Sequence, residues 1–190
     1  MEADWEIEIG NQAPVIDAGW QGFVDLRHAP ERAIELPETK DLPELADALT
    51  ALNAPSSTVW SAKCDVWRPD AHDPDELDAP HGEGKCAVAC YIDLLPCAEQ
   101  EWPDPAHAVA FCMQVCATLH DFCLRSCRVD LIVRRALMEP GEQRLGITAY
   151  LTACGPSLKA AHATLASALA AFAETLAGTR LPATRASKLQ

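Results

Sequence analysis

Apolar and acidic residues alternate from Asp4 to Ile9, with Trp5, Ile7 and Ile9 on one side and Asp4, Glu6 and Glu8 on the other. A period of two is that of a half-buried strand. The stretch GFVDLR (22–27) reads as a second short strand. Pro14, Gly19, Gly22, Pro30 and Pro37 lie around and after them, so residues 1–40 are expected to form an extended arm. Trp5, Trp20 and Phe23 are large apolar groups that water disfavours, and the arm is expected to pack on the domain.

From Asp41 the pattern changes to a helical period. Leu45, Leu49 and Leu52 form one stripe, with Asp41 as the expected N-cap, Glu44 three residues on, and Asn53-Ala54-Pro55 as the stop. STVWSAKCDVWR (57–68) and KCAVACYIDLL (85–95) are strand-like, being rich in Val, Trp, Tyr and Ile. Asp104 followed by Pro105 predicts the start of a helix running towards Ser126. Two more strands, CRVDLIVRRAL (127–137) and RLGITAYLTAC (144–154), flank the turn MEPGEQ. A last helix begins near Pro156, carries the stripe Leu158, His162, Leu165, Leu169, Phe172, Leu176, and stops at Gly178. The tail 179–190 is polar, mildly basic and expected to fray.

The order strand-strand-helix therefore occurs twice. Two such units place two helices on one face of a four-stranded, mainly antiparallel sheet, giving a single α+β domain over residues 41–178. The element order resembles that of a circularly permuted ferredoxin-like sandwich, with the helix at 41–53 added. That resemblance concerns fold and implies no particular function.

Alternation also assigns faces. The helix side is expected to take Cys127, Val129, Leu131 and Val133; Cys86, Val88, Cys90 and Ile92; Trp60, Ala62, Cys64 and Val66; and Leu145, Ile147, Ala149 and Leu151. The other side then collects Lys63, Asp65, Trp67, Tyr91, Asp93, Arg128, Asp130, Arg134, Thr148 and Tyr150. Three readings of this charged-aromatic face stay open. The arm and cross-strand ion pairs can cover it. It can be an interface with a protein partner or a second copy, since Trp, Tyr and Arg are enriched in interface cores. Or it can line, with the arm, a pocket in which Arg128 and Arg134 hold an anionic ligand.

Composition narrows the partners. A formal charge of −13 disfavours nucleic acid and anionic membranes. No stretch approaches the roughly 18 apolar residues of a membrane span, and the acidic N-terminus lacks a secretory signal pattern. A cytoplasmic protein is the expectation, where a reducing compartment keeps the nine cysteines as thiols.

Candidate chemistry is sparse. FCMQVCATLHDFCLRSC (111–127) holds four cysteines, and Cys112, Cys116 and Cys123 share a helical stripe with Val109 and Leu119. With Cys64, Cys86, Cys90 and Cys127 across from them, seven thiols could meet in one core and take a soft ion such as Cu(I) or Zn(II). The Cys-x-x-x-Cys spacing is similar to that of helices in bacterial copper storage proteins, but that family is a four-helix bundle. Buried cysteine is also an ordinary small hydrophobe, and core packing is the expected use, with no bound cofactor. His120 is expected to be a half-exposed helix residue and His162 a hydrogen-bonded one. Cys154, between a strand and a helix N-terminus, is the one candidate reactive thiol. The loop 69–84 carries six acids and no base, yet fits no EF-hand spacing. No phosphate loop, G-x-S-x-G, H-E-x-x-H or Cys-x-x-Cys occurs.

Overall fold

The computed structural model describes residues 1–10, 23–97, 102–138 and 142–179. The sequence's Trp20, the tip of the MEPGEQ turn and the tail beyond Thr179 lie outside the described residues. In chain order the elements are β1 (Glu2–Glu8), α1 (Pro43–Leu52), β2 (Val59–Trp67), β3 (Cys86–Pro96), α2 (Pro105–His120), β4 (Cys127–Met138), β5 (Glu142–Gly155) and α3 (Leu158–Gly178). Two short 3-10 turns at Pro30–Glu35 and Pro37–Thr39 precede α1.

The molecule is an α+β fold with one mixed sheet of order β1-β4-β5-β3-β2. Five strands replace the four expected, because the alternating Asp4–Ile9 stretch does more than pack on the domain. It joins the sheet as β1, parallel to β4 in an unbroken register from Glu2 opposite Arg128 to Glu8 opposite Arg134. The N-terminal ammonium anchors its start by donating to the Phe122 carbonyl at 2.6 Å. The other pairings are antiparallel. The expected second strand at 22–27 does not form; residues 23–25 are irregular and 26–28 turn.

All three α-helices pack on one side of the sheet. Phe111 and Phe172 are fully buried there, with the α1 residues Leu45, Leu49 and Leu52 and the inward strand residues Ile92, Leu131 and Ile147. Removing each such side chain from water contributes about 1.5–3 kcal/mol. Leu42, not Asp41, is the N-cap of α1, and no side chain caps it. Pro43 sets the first turn while Leu42 is drawn into the core, 1% exposed. The α2 start matches expectation, with the Asp104 carboxylate accepting from the His107 N–H at 3.1 Å. That helix ends at His120, however, well short of Ser126, and Ser126 itself takes a left-handed φ of 62°. At the end of β5, a methyl on Gly155 would sit 2.9 Å from the Ala161 backbone nitrogen, so only glycine lets α3 turn back so closely.

One face assignment reverses. The β2–β3 register shifts between Ser61 and Lys63, which inserts an extra residue and exchanges the sides on which side chains point. Val59 remains on the helix side, yet Trp60 and Ala62 fall on the opposite face with Leu95 and Ala136, while Cys64 and Val66 return to the main core. Asn53, just past α1, pins this irregularity. Its amide donates to the Ser61 hydroxyl at 2.7 Å and to the Leu49 carbonyl at 2.8 Å, and its carbonyl accepts from the Ser61 N–H at 3.2 Å. Asn53→Ala strands the buried Ser61 N–H and is expected to lower stability by about 2 kcal/mol in urea unfolding. Ser61→Ala keeps both backbone bonds of Asn53 and is expected to cost less.

Candidate functional site

The sheet face away from the helices is organised in rows set by the registers. One row runs Asp4–Asp130–Tyr150–Tyr91–Asp65, the next Glu6–Ile132–Thr148–Asp93–Lys63, and a third Glu2–Arg128–Thr152–Ala89–Trp67. Strand geometry thus brings Lys63, Asp65, Trp67, Tyr91, Asp93, Arg128, Asp130, Arg134 and Tyr150 onto one surface. Its centre is aromatic. The rings of Trp67, Tyr91 and Tyr150 lie 6.1–6.3 Å apart, centroid to centroid, each touching the other two. Trp67 is the most open of them at 36% exposed.

Both arginines are already engaged. Arg128 donates to Asp130 at 2.7 Å and lies 3.8 Å from Asp4. Arg134 donates to Glu8 at 2.7 Å and to the Tyr150 hydroxyl at 3.4 Å, with its guanidinium 5.8 Å from the Tyr150 ring centre. Asp4 and Glu8 come from β1, so sequence reasoning that treated this segment as an arm missed the groups that neutralise the face. The signal was present in the alternation of Asp4, Glu6 and Glu8.

Asp93 is the buried acid of the face, 6% exposed, and its carboxylate accepts from the likewise buried Thr148 hydroxyl at 2.6 Å. Burial pushes its pKa above the ordinary value, opposed by that hydrogen bond and by Lys63 and Arg134. Burial likewise raises Asp130 in spite of Arg128. The Tyr91 phenol is pushed up to about 12 by burial, with Asp93 and Asp65 adding to it. Asp93 and Asp65 thus act on the Tyr91 ring as acidic neighbours.

Two cavities flank the Arg128–Asp130 pair. One, of about 310 Å³, lies over Asp4, Trp5, Glu6, Ile132 and Tyr150. The other, of about 420 Å³, is walled by Trp67, His72, Asp73, Glu76 and Thr152, so its outer side belongs to the loop 69–84 and not to the arm. This loop is folded. The His72 ring is hydrogen-bonded to the Gly84 carbonyl at 2.8 Å, Asp78 pairs with Arg125 at 2.9 Å, and Leu77 is buried against Ala87 and Cys154. A third cavity, about 240 Å³, does adjoin the arm. It is lined mostly by Phe23, Val24, Leu26 and Leu36, and reaches Lys63 and Tyr91 but neither arginine. The arm also touches the face at one corner, where Arg27 stacks 4.3 Å above Trp60.

The cysteines disperse. Cys90, Cys112, Cys116 and Cys127 are core residues with Cys64 packed against them, but Cys123 is exposed beyond the end of α2, so the seven thiols do not gather. All nine are free thiols, and among the described residues no group of three or more His, Cys, Asp or Glu side chains converges to hold a metal. Burial raises the thiols of Cys112, to about 12, and of Cys116, to about 11, away from the thiolate that binds soft ions. Cys154 is fully buried beneath the loop, and burial raises its pKa as well. The positive end of α3 is capped by the Ser157 hydroxyl, which accepts from the Ala160 N–H at 3.3 Å. His120 is exposed at the last position of α2, and His162 is half-buried on α3.

The chain matches no protein-family model, no curated protein and no solved structure.

A raised Asp93 makes stability depend on pH in a defined direction. Above the ordinary value of 3.8 the folded protein holds a proton that the unfolded chain has released, so stability falls as pH rises through the raised value. Asp93→Asn keeps an acceptor for Thr148 and removes that slope. Urea unfolding between acidic and neutral pH is expected to show the variant matching wild type at the acid end and equalling or exceeding it at pH 7. A variant clearly less stable at pH 7 would refute the assignment.

Proposed function

We propose that this protein is a non-enzymatic binding module that engages another protein, or a second copy of itself, through the open charged-aromatic face of its sheet. The observation that carries the reading is the Trp67–Tyr91–Tyr150 cluster at the centre of that face, flanked by Arg128 and Arg134. Large rigid rings and arginines are the side chains from which interface hot spots are built, and here they sit on a sheet surface that no helix among the described residues covers. The competing pocket for an anionic ligand needs a free guanidinium, and both arginines are held by carboxylates at 2.7 Å.

Strands β2 to β5 with α2 and α3 form, in this reading, a permuted ferredoxin-like sandwich to which β1 and α1 have been added. Nine free thiols fit a reducing, cytoplasmic setting. No helix among the described residues is long and apolar enough to cross a membrane.

The test is a paired truncation. Trp67→Ala combined with Tyr91→Ala removes two central anchors and is expected to weaken the assembly by about thirtyfold or more, read by sedimentation of the purified complex or oligomer. A wild-type chain that sediments as a monomer at high concentration and copurifies with no stoichiometric protein retires the proposal.

A further inference from the structure

The strand positions of the open face carry Glu2, Asp4, Glu6, Glu8, Asp65, Asp93, Asp130 and Glu142 against Lys63, Arg128, Arg134 and Arg144, eight acids to four bases. The excess is not spread evenly. The cavity beside the loop is lined by Asp73, Glu76 and Asp130 with Arg128 as its lone cation beside His72, and the Trp67 ring forms a wall. The cavity beside β1 is lined by Asp4, Glu6 and Asp130, again with Arg128, and has Tyr150 as its aromatic wall. Each holds three carboxylates to one guanidinium, and that guanidinium is committed to Asp130, which leaves each cavity a net acceptor of positive charge.

We propose that the face recognises a basic polypeptide segment of another protein, with two arginine or lysine side chains seated in the two cavities on either side of the Arg128–Asp130 pair. This rests on the reading of the face as a binding surface and names the chemistry of its partner. An aromatic wall beside carboxylates is the arrangement that attracts a guanidinium, by ring quadrupole and by charge together. At about 310 and 420 Å³ each cavity is large enough for one such side chain. A second copy of this chain is the wrong occupant, because face-to-face pairing sets eight acids and four bases against the same set. Like charges across an interface cost several kcal/mol.

The probe is the pentapeptide acetyl-Arg-Ala-Arg-Ala-Arg-amide, compared with its all-citrulline counterpart, which keeps the shape and removes the charge. Binding is read on the indole N–H resonance of Trp67 and the ring resonances of Tyr150 in the full-length protein, assigned through Trp67→Phe and Tyr150→Phe. The arginine peptide is expected to shift both resonances and to bind at least about tenfold more tightly than the citrulline peptide. Asp73→Asn with Glu76→Gln, two exposed loop positions, is expected to abolish the shift at Trp67 and to spare that at Tyr150. Equal responses to the two peptides, or none to either into the millimolar range, overturn the proposal. So does a loop variant that binds as wild type. The two readings fail separately: loss of arginine preference leaves assembly sensitive to Trp67→Ala and Tyr91→Ala, whereas assembly indifferent to those changes removes the face itself.

Discussion

The parallel pairing of β1 with β4 decides what kind of surface this protein presents. Without it Arg128 and Arg134 would lie at the edge of an antiparallel sheet whose open-face acids and bases balance. With it, Asp4 and Glu8 lie beside those arginines in fixed register, and Glu2 and Glu6 fill the positions between. The ion pairs themselves are exposed and contribute little to stability. Their consequence is the sign of the field. A strand held by backbone hydrogen bonds and by Ala3 and Trp5 against the core carries a row of carboxylates onto the face. The same row also guards the sheet edge, since a second β1 pairing there would set acid against acid.

The irregularity in β2 acts at the opposite edge of the sheet. An unbroken alternation would bury Trp60 and Ala62 with Cys64 and Val66 and leave that corner of the open face without an apolar anchor. The extra residue sends Trp60 outward to Leu95 and Ala136, where Arg27 closes over it, and returns Cys64 to the core. Lys63, Asp65 and Trp67 keep the open side because the exchange is complete before them. Asn53, which ties the α1 terminus to Ser61 at the point of the shift, therefore sets the side on which Trp60 lies.

Much of this was legible in the sequence, and the failures share a cause. The strand-strand-helix order, the Asp104 cap, the stop at Gly178 and the outward set from Lys63 to Tyr150 follow from local period and capping chemistry. What local pattern cannot supply is the identity of a distant partner. The alternation at Asp4–Ile9 specifies a strand but not that it pairs with residues more than a hundred positions away. Likewise nothing in VWSAKCDVW marks where one residue is inserted, because the apolar alternation from Trp60 to Val66 reads as continuous. In α2 the error is of the same kind. Phe122 and Leu124 prolong the apolar rhythm past His120, so Cys123 reads as part of a stripe that the backbone has already left.

The two faces of the sheet also treat charge and sulfur differently. On the helix side cysteines replace aliphatic residues, and burial holds Cys90, Cys112 and Cys116 as neutral thiols that behave as small hydrophobes. On the open side the sequence keeps Asp93 at 6% exposure and a half-buried Asp130, both raised by burial and both unfavourable to the fold when ionised at neutral pH. A threonine or valine at position 93 would satisfy a strand without that penalty. Destabilising polar groups that serve no packing purpose concentrate where a protein meets something else. Here they lie beneath the aromatic cluster and deepen its negative potential, which is the property a cationic partner would read.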